Sequence, residues 1–172
     1  MNPIFQRVHE NPIITRQDVP FSAAAVLNPG AVEHNGEIVL LLRVEDHSGR
    51  SDIHVARSGD GVSGWRIAPE PILRYGTPEY PYEQWGVEDP RVTYLEEDRH
   101  YYITYTAYSP AGAAVGIART DDLIKAEHIG LIFSPNNKDT VLFPRRFKGK
   151  WMVLHRPDAG NNQHIWSAVS PD

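Results

Sequence analysis

The chain has 172 residues and no cysteine, with 41% hydrophobic residues, 23% charged residues and a formal net charge of -5. That balance excludes a disordered, highly charged chain, and it excludes a basic nucleic-acid binder, which needs cations in excess to neutralise phosphates. Without cysteine there is no disulfide scaffold and no thiolate metal site, which fits a cytoplasmic setting.

No run approaches the roughly 18 apolar residues of a membrane span. Residues 1–7 lack the basic start and apolar stretch of a signal peptide. Neither a membrane nor nucleic acid is therefore an expected partner. Eight tyrosines, four tryptophans and many valines and isoleucines favour strands over helices. The one short helix candidate is 121–128.

Taken in chain order, three hairpins come into view. Pro29 opens Gly30-Ala31-Val32, a turn at Asn35-Gly36, then Ile38-Val39-Leu40-Leu41-Leu42-Arg43. Pro90 opens Arg91-Val92-Thr93-Tyr94-Leu95, a turn near Asp98, then Tyr101-Tyr102-Ile103-Thr104-Tyr105. Pro144 opens Arg145-Arg146-Phe147, a turn at Gly149, then Trp151-Met152-Val153-Leu154-His155-Arg156. Each is two strand-like runs around a short polar turn. Asn35-Gly36 is the strongest signal, because a type I′ turn needs positive φ at both central residues.

Each hairpin is followed by a further strand of one pattern. Ile53-His54-Val55-Ala56-Arg57-Ser58-Gly59-Asp60 returns as Val115-Gly116-Ile117-Ala118-Arg119-Thr120-Asp121-Asp122. It returns again as Ile165-Trp166-Ser167-Ala168-Val169-Ser170-Pro171-Asp172. The copies start 62 and 50 residues apart. One four-stranded blade per ~50–60 residues suggests a β-propeller; a β-sandwich is the competing reading. The fold class is all-β, and 1–172 reads as a single partial propeller domain of two and a half to three blades. Propellers typically close with about four to eight blades. The chain is therefore expected to be the N-terminal portion of a longer protein, or one half-ring of a homo-oligomer.

In a propeller the innermost strands line a central funnel. The residues before the repeat prolines, Asn28, Asp89 and Phe143, are expected at its wall, with extended backbone imposed by the proline. Asp89 lies in the densest cluster, Trp85-Gly86-Val87-Glu88-Asp89-Pro90-Arg91. Side chains alternate along a strand, so only one of Glu88 and Asp89 faces a given cleft. A turn-capping carboxylate is the alternative role for Asp89.

Lys138, Arg145, Arg146, His155 and Arg156 form a basic cluster in an acidic chain. Arginine forks suit phosphate; a solvated strand face is the plainer alternative. Tyr75, Tyr80, Tyr82, Trp85, Tyr105 and Tyr108 suit a sugar ring or a core. The eight histidines include no i, i+4 pair with a partner acid, so no metal is expected. Nucleophile elbow, phosphate loop and dinucleotide fingerprint are all lacking. Ser58-Gly59-Asp60-Gly61 with Trp65 is one position off a sialidase-type box and reads as blade-turn chemistry.

These residues together resemble glycoside hydrolase family 130, the mannoside phosphorylases, nearly end to end. The matching stretches are Asn11-Pro12-Ile13-Ile14 with Asp18-Val19-Pro20, Asn28-Pro29-Gly30-Ala31 with Leu41-Leu42-Arg43, and Trp85-Gly86-Val87-Glu88-Asp89-Pro90-Arg91. Asn137-Lys138-Asp139, Phe143-Pro144, Gly149-Lys150 and His155-Arg156-Pro157 complete them. The resemblance implies a five-bladed β-propeller, of which this chain would cover little more than half. It implies phosphorolysis of β-mannosides with inversion, giving α-mannose 1-phosphate. Asp89 would be the general acid, with the proton passing through a sugar hydroxyl. Asn28, Arg43, Glu88 and Tyr105 would contact the mannoside. Lys138 and Arg156, with Arg145 or Arg146 as a third, would bind phosphate. Further phosphate ligands of the family lie downstream. No cofactor is implied; inorganic phosphate is the co-substrate, and a β-mannoside oligosaccharide is the partner.

The chemistry is coherent from below. Inverting glycosidases usually place an acid and a base carboxylate about 6.5–9.5 Å apart. Phosphate as nucleophile is already charged and removes the need for the base, but it requires cations. The acid is expected in a poorly solvated site that favours its neutral form. Arg91, two residues along, would oppose that if it pointed the same way. A β-mannoside hydrolase of the same fold and an inactive or sugar-binding propeller piece are the alternatives.

Overall fold

The computed structural model describes residues 7–158, 160 and 164–171. The leader reading at 1–6 and Asp172 of the third repeat lie outside the described residues. Eleven strands follow one another among the described residues. They are β1 (Ala25–His34), β2 (Glu37–Glu45), β3 (Ser51–Ser58), β4 (Arg66–Ile67), β5 (Gly86–Leu95) and β6 (His100–Ser109). β7 (Gly112–Thr120), β8 (Glu127–Phe133), β9 (Asn137–Leu142), β10 (Trp151–Pro157) and β11 (Trp166–Ser170) complete the set. Strands β1–β4 and β5–β8 form two antiparallel four-stranded blades, and β9–β11 form three strands of another. A lone parallel pairing, Ser51 with Gly86, ties the first blade to the second.

The local chemistry explains the strands. In the first hairpin Asn35 has φ 52° and Gly36 φ 78°, the pair of positive angles that a type I′ turn demands. The apolar run of β2 is buried on both faces. Leu41 (0% exposed) joins Ile53, Val87, Ile103 and Tyr105 between the first two blades, while Leu42 (1%) joins Val19, Ala23 and Ala56 on the other side. Each fully buried Leu or Ile contributes about 1.5–3 kcal/mol. The second and third blades meet through hydroxyls: Thr93 donates to the Leu142 carbonyl at 2.9 Å and Thr104 to that of Thr140 at 2.6 Å.

The Ser/Thr-x-Asp repeat is a turn lock. Asp60 Oδ1 accepts the N–H groups of Val62 and Ser63, and Asp122 Oδ1 accepts those of Ile124 and Lys125. Ser58 Oγ and Thr120 Oγ1 take a further N–H each, from Gly61 and Leu123. The backbone hydrogen bonds push the Asp60 carboxyl down, and the same bonds lower Asp122. This corrects the helix expected at 121–128. Asp122 spends its carboxylate capping a turn, and Glu127–Phe133 continues as strand β8.

A second correction concerns the innermost strands. Each carries a bulge at one register position, where two residues oppose one. The bulges are Asn28-Pro29 opposite Leu42, Asp89-Pro90 opposite Tyr105, and Asp139-Thr140 opposite His155. The first residue of each is left-handed, with φ of 39°, 50° and 54°. The extended backbone expected before Pro29 and Pro90 is thus not adopted. The bulge sets the conformation, and Asn and Asp tolerate it better than other side chains. The third blade aligns on Asp139-Thr140, not on Phe143-Pro144. Its first strand precedes that proline, because threonine fills the place that proline takes in the other two bulges. Phe143 and Pro144 fall in the loop from β9 to β10.

Candidate active site at the bulges

The three bulges place Asn28, Asp89 and Asp139 at equivalent points of neighbouring inner strands. Gly30 shows how closely β1 and β5 approach: a Cβ there would lie 2.8 Å from the Pro90 carbonyl oxygen. Left-handed backbone at three non-glycine residues costs energy at each. All three carry polar side chains: Asn28 and Asp89 meet each other, Asp89 meets Arg43, and Asp139 meets Arg156.

Asp89 is held by the neighbouring blade. Asn28 Nδ2 donates to Asp89 Oδ1 at 2.8 Å, and Arg43 Nη1 to the same oxygen at 3.0 Å. Among the described residues no donor engages Oδ2. Arg43 is the hub: Nη2 lies 3.1 Å from Glu88 Oε1 and 3.4 Å from Glu45 Oε2, and Nε donates to Ser51 Oγ at 3.0 Å. Burial pushes the Glu88 carboxyl up; Arg43 and Lys138 pull it down, while Asp89 and Glu45 reinforce the rise. Arg91 does not turn on the acid. Its Nη1 donates to the carbonyls of Asp89 and Pro90, at 3.3 and 3.2 Å.

The cations sit on the third blade. Arg156 is paired directly with Lys138 across β10 and β9. Like charges opposed on a ladder are unfavourable unless an anion lies between them. Asp139 supplies one, with its Oδ2 2.6 Å from Arg156 Nη2 and 2.8 Å from Nε. Lys138 has no carboxylate within salt-bridge distance among the described residues. Arg156 occupies the register position that Arg43 occupies in the first blade and Thr106 in the second.

Two expected site residues are elsewhere. Tyr105 opposes the Asp89 bulge but points to the other face of β6, where it is 2% exposed and donates to Glu83 Oε1 at 2.5 Å. Burial and the Glu83 charge drive its phenol far up, so it is a core group rather than a mannoside contact. Arg145 lies in the β9–β10 loop, across the Phe147 ring at 5.1 Å, at the far end of the hairpin from Arg156. The resemblance assigned both residues to the site, and strand register and burial place them elsewhere. Asp139, Glu45 and Ser51 were not assigned roles from the sequence. The Asn-Lys-Asp stretch held the signal for Asp139.

A family profile described as beta-1,4-mannooligosaccharide phosphorylase matches residues 1–172. The chain is 30% identical to a beta-1,2-mannobiose phosphorylase of Listeria innocua, over 96% of this chain and 62% of the relative. It is 30% identical to a beta-1,4-mannooligosaccharide phosphorylase of Ruminococcus albus, over 98% of this chain and 52% of the relative. The solved structure of the Listeria innocua enzyme in complex with beta-1,2-mannobiose superimposes with a TM-score of 0.83, covering 96% of this chain and 62% of that one. The chain thus spans about half to three-fifths of the length of these relatives. The family's solved structures are five-bladed β-propellers, and the blades of this chain correspond to part of one. With its three bulges, its Glu-Asp-Pro-Arg stretch and its full-length profile match, the chain belongs to glycoside hydrolase family 130.

Proposed function

We propose that the whole protein phosphorolyses β-mannosides, releasing α-mannose 1-phosphate with inversion, without a cofactor. The observation that carries this is Asp89 held against Arg43 of the first blade, with Lys138 of the third blade, paired across its hairpin with Arg156, near enough to the adjoining Glu88 to act on its carboxyl. An oxygen of inorganic phosphate attacks the anomeric carbon as the glycosidic C–O bond breaks. A single displacement inverts that carbon. Asp89 delivers a proton through a sugar hydroxyl to the departing oxygen, and the phosphate monoester formed returns one. Asn28 and Arg43 bind Oδ1 and leave Oδ2 for the proton transfer. Lys138 and Arg156 neutralise the incoming phosphate, with Glu88 and Asn28 as mannoside contacts.

The experiment is mannobiose turnover by the whole protein, followed by phosphorus NMR across phosphate concentrations. Mannose 1-phosphate as the product, with Lys138→Met raising the KM for phosphate roughly tenfold or more, supports the reading. Release of free mannose at equal rate without phosphate overturns it in favour of hydrolysis.

A further inference from the structure

Six aromatic residues surround the catalytic stretch, and the structure separates them. Tyr105 is in the core, and the Tyr75 hydroxyl is bound to Asp46 Oδ2 at 2.9 Å. Tyr80 stacks on His128 at 4.0 Å, and Tyr82 packs against the core between the first two blades. Trp85 and Tyr108 remain. Their rings meet edge to face at 5.5 Å and 67°, and Tyr108 is 39% exposed. The Trp85 backbone N–H donates to the Tyr108 carbonyl at 2.8 Å, which ties together the backbones that carry the two rings.

Register sets this pair beside the acid. Tyr108 opposes Gly86 and Thr106 opposes Glu88. Alternate residues share a face, so Tyr108 and Glu88 stand on one side of the sheet about 7 Å apart along it. Gly86 lets the carboxylate bend over that gap: a Cβ at Gly86 would lie 3.0 Å from Glu88 Oε1. A neutral aromatic corner thus adjoins the charged cluster at a separation of about one sugar unit.

We infer that Trp85 and Tyr108 form the platform for the sugar on the leaving side of the cleaved bond, taking the apolar face of a hexose. This rests on the β-mannoside reading above. Ring faces are electron-rich and accept the C–H groups of a pyranose, while the phenol and indole edges meet its hydroxyls. The corner carries no charge, so it acts on the sugar and not on phosphate. Its rigidity spares the ordering cost of binding.

The test uses the whole protein with Tyr108→Ala, Tyr108→Phe and Trp85→Phe. Saturation-transfer NMR with β-1,2- and β-1,4-mannobiose is recorded while irradiating aromatic protons. The expected result is saturation on the reducing-end ring, lost in Tyr108→Ala and retained in Tyr108→Phe and Trp85→Phe. In turnover, Tyr108→Ala raises the KM for mannobiose roughly tenfold and leaves the KM for phosphate unchanged. Saturation confined to the non-reducing ring, an undiminished signal in Tyr108→Ala, or a parallel rise in both KM values overturns the platform. A platform signal from a protein that makes no mannose 1-phosphate refutes the phosphorylase reading and leaves the platform standing.

Discussion

Replacing Arg43 with glutamine removes a cation that joins the first blade to Asp89 of the second. Arg43 meets Asp89 at 3.0 Å and Glu88 at 3.1 Å, with side chains 15%, 13% and 16% exposed. At about 3 Å and an effective dielectric of about 20, each pair attracts by roughly 5 kcal/mol before desolvation is deducted. Breaking a well-buried pair costs about 3–5 kcal/mol, and the residual exposure here lowers that to roughly 2–4 kcal/mol. Urea denaturation of the parent, Arg43→Gln, Asp89→Asn and the double variant measures it. A coupling energy of about 1–3 kcal/mol between the two sites is expected. Additivity within about 0.5 kcal/mol would refute the pairing.

Two further predictions concern groups outside the cluster. A Cβ at Gly116 would lie 2.6 Å from the Tyr105 hydroxyl oxygen. Gly116→Ala therefore displaces Tyr105 from Glu83, a carboxylate 0% exposed, and is expected to lower stability by about 3–5 kcal/mol in chemical denaturation; a loss under about 1 kcal/mol contradicts it. Asp46 is held down to about 2: burial opposes its charge, and hydrogen bonds from Ser48, Arg50 and Tyr75 override that. A lowered carboxyl stabilises the fold fully above its ordinary value of 3.8 and loses that contribution as pH falls through about 2. Melting temperatures of Asp46→Asn should sit below the parent near neutrality and converge with it in acid. Parallel curves would exclude the effect.

The blades were legible because their signals are local. Asn35-Gly36 marks a turn by backbone angle, and the Ser/Thr-x-Asp turns lock through neighbours two or three residues away. The inner-strand bulges were not legible as such. A bulge is a count of residues on two strands, and only pairing reveals that two face one. That hid the equivalence of Asp139 with Asn28 and Asp89, since Thr140 lacks the proline that flags the others. It also hid the fate of Tyr105, which opposes the Asp89 bulge in register yet turns into the core. Arg145 sits in the loop at the far end of the third hairpin, a position that only the register of β9 and β10 reveals. The burial of Glu88 and its contact with Arg43 were not legible either, because both depend on the approach of two blades.

Asp89→Asn in the whole protein, assayed for mannose 1-phosphate from β-mannobiose and inorganic phosphate, bears most directly on the chemistry. The side chain keeps its size and can still accept from Asn28 and Arg43, but it has no carboxyl proton to give. A fall in kcat of roughly 10²–10⁴-fold with an intact fold is expected. Full phosphorolysis by the asparagine variant would contradict Asp89 as the acid.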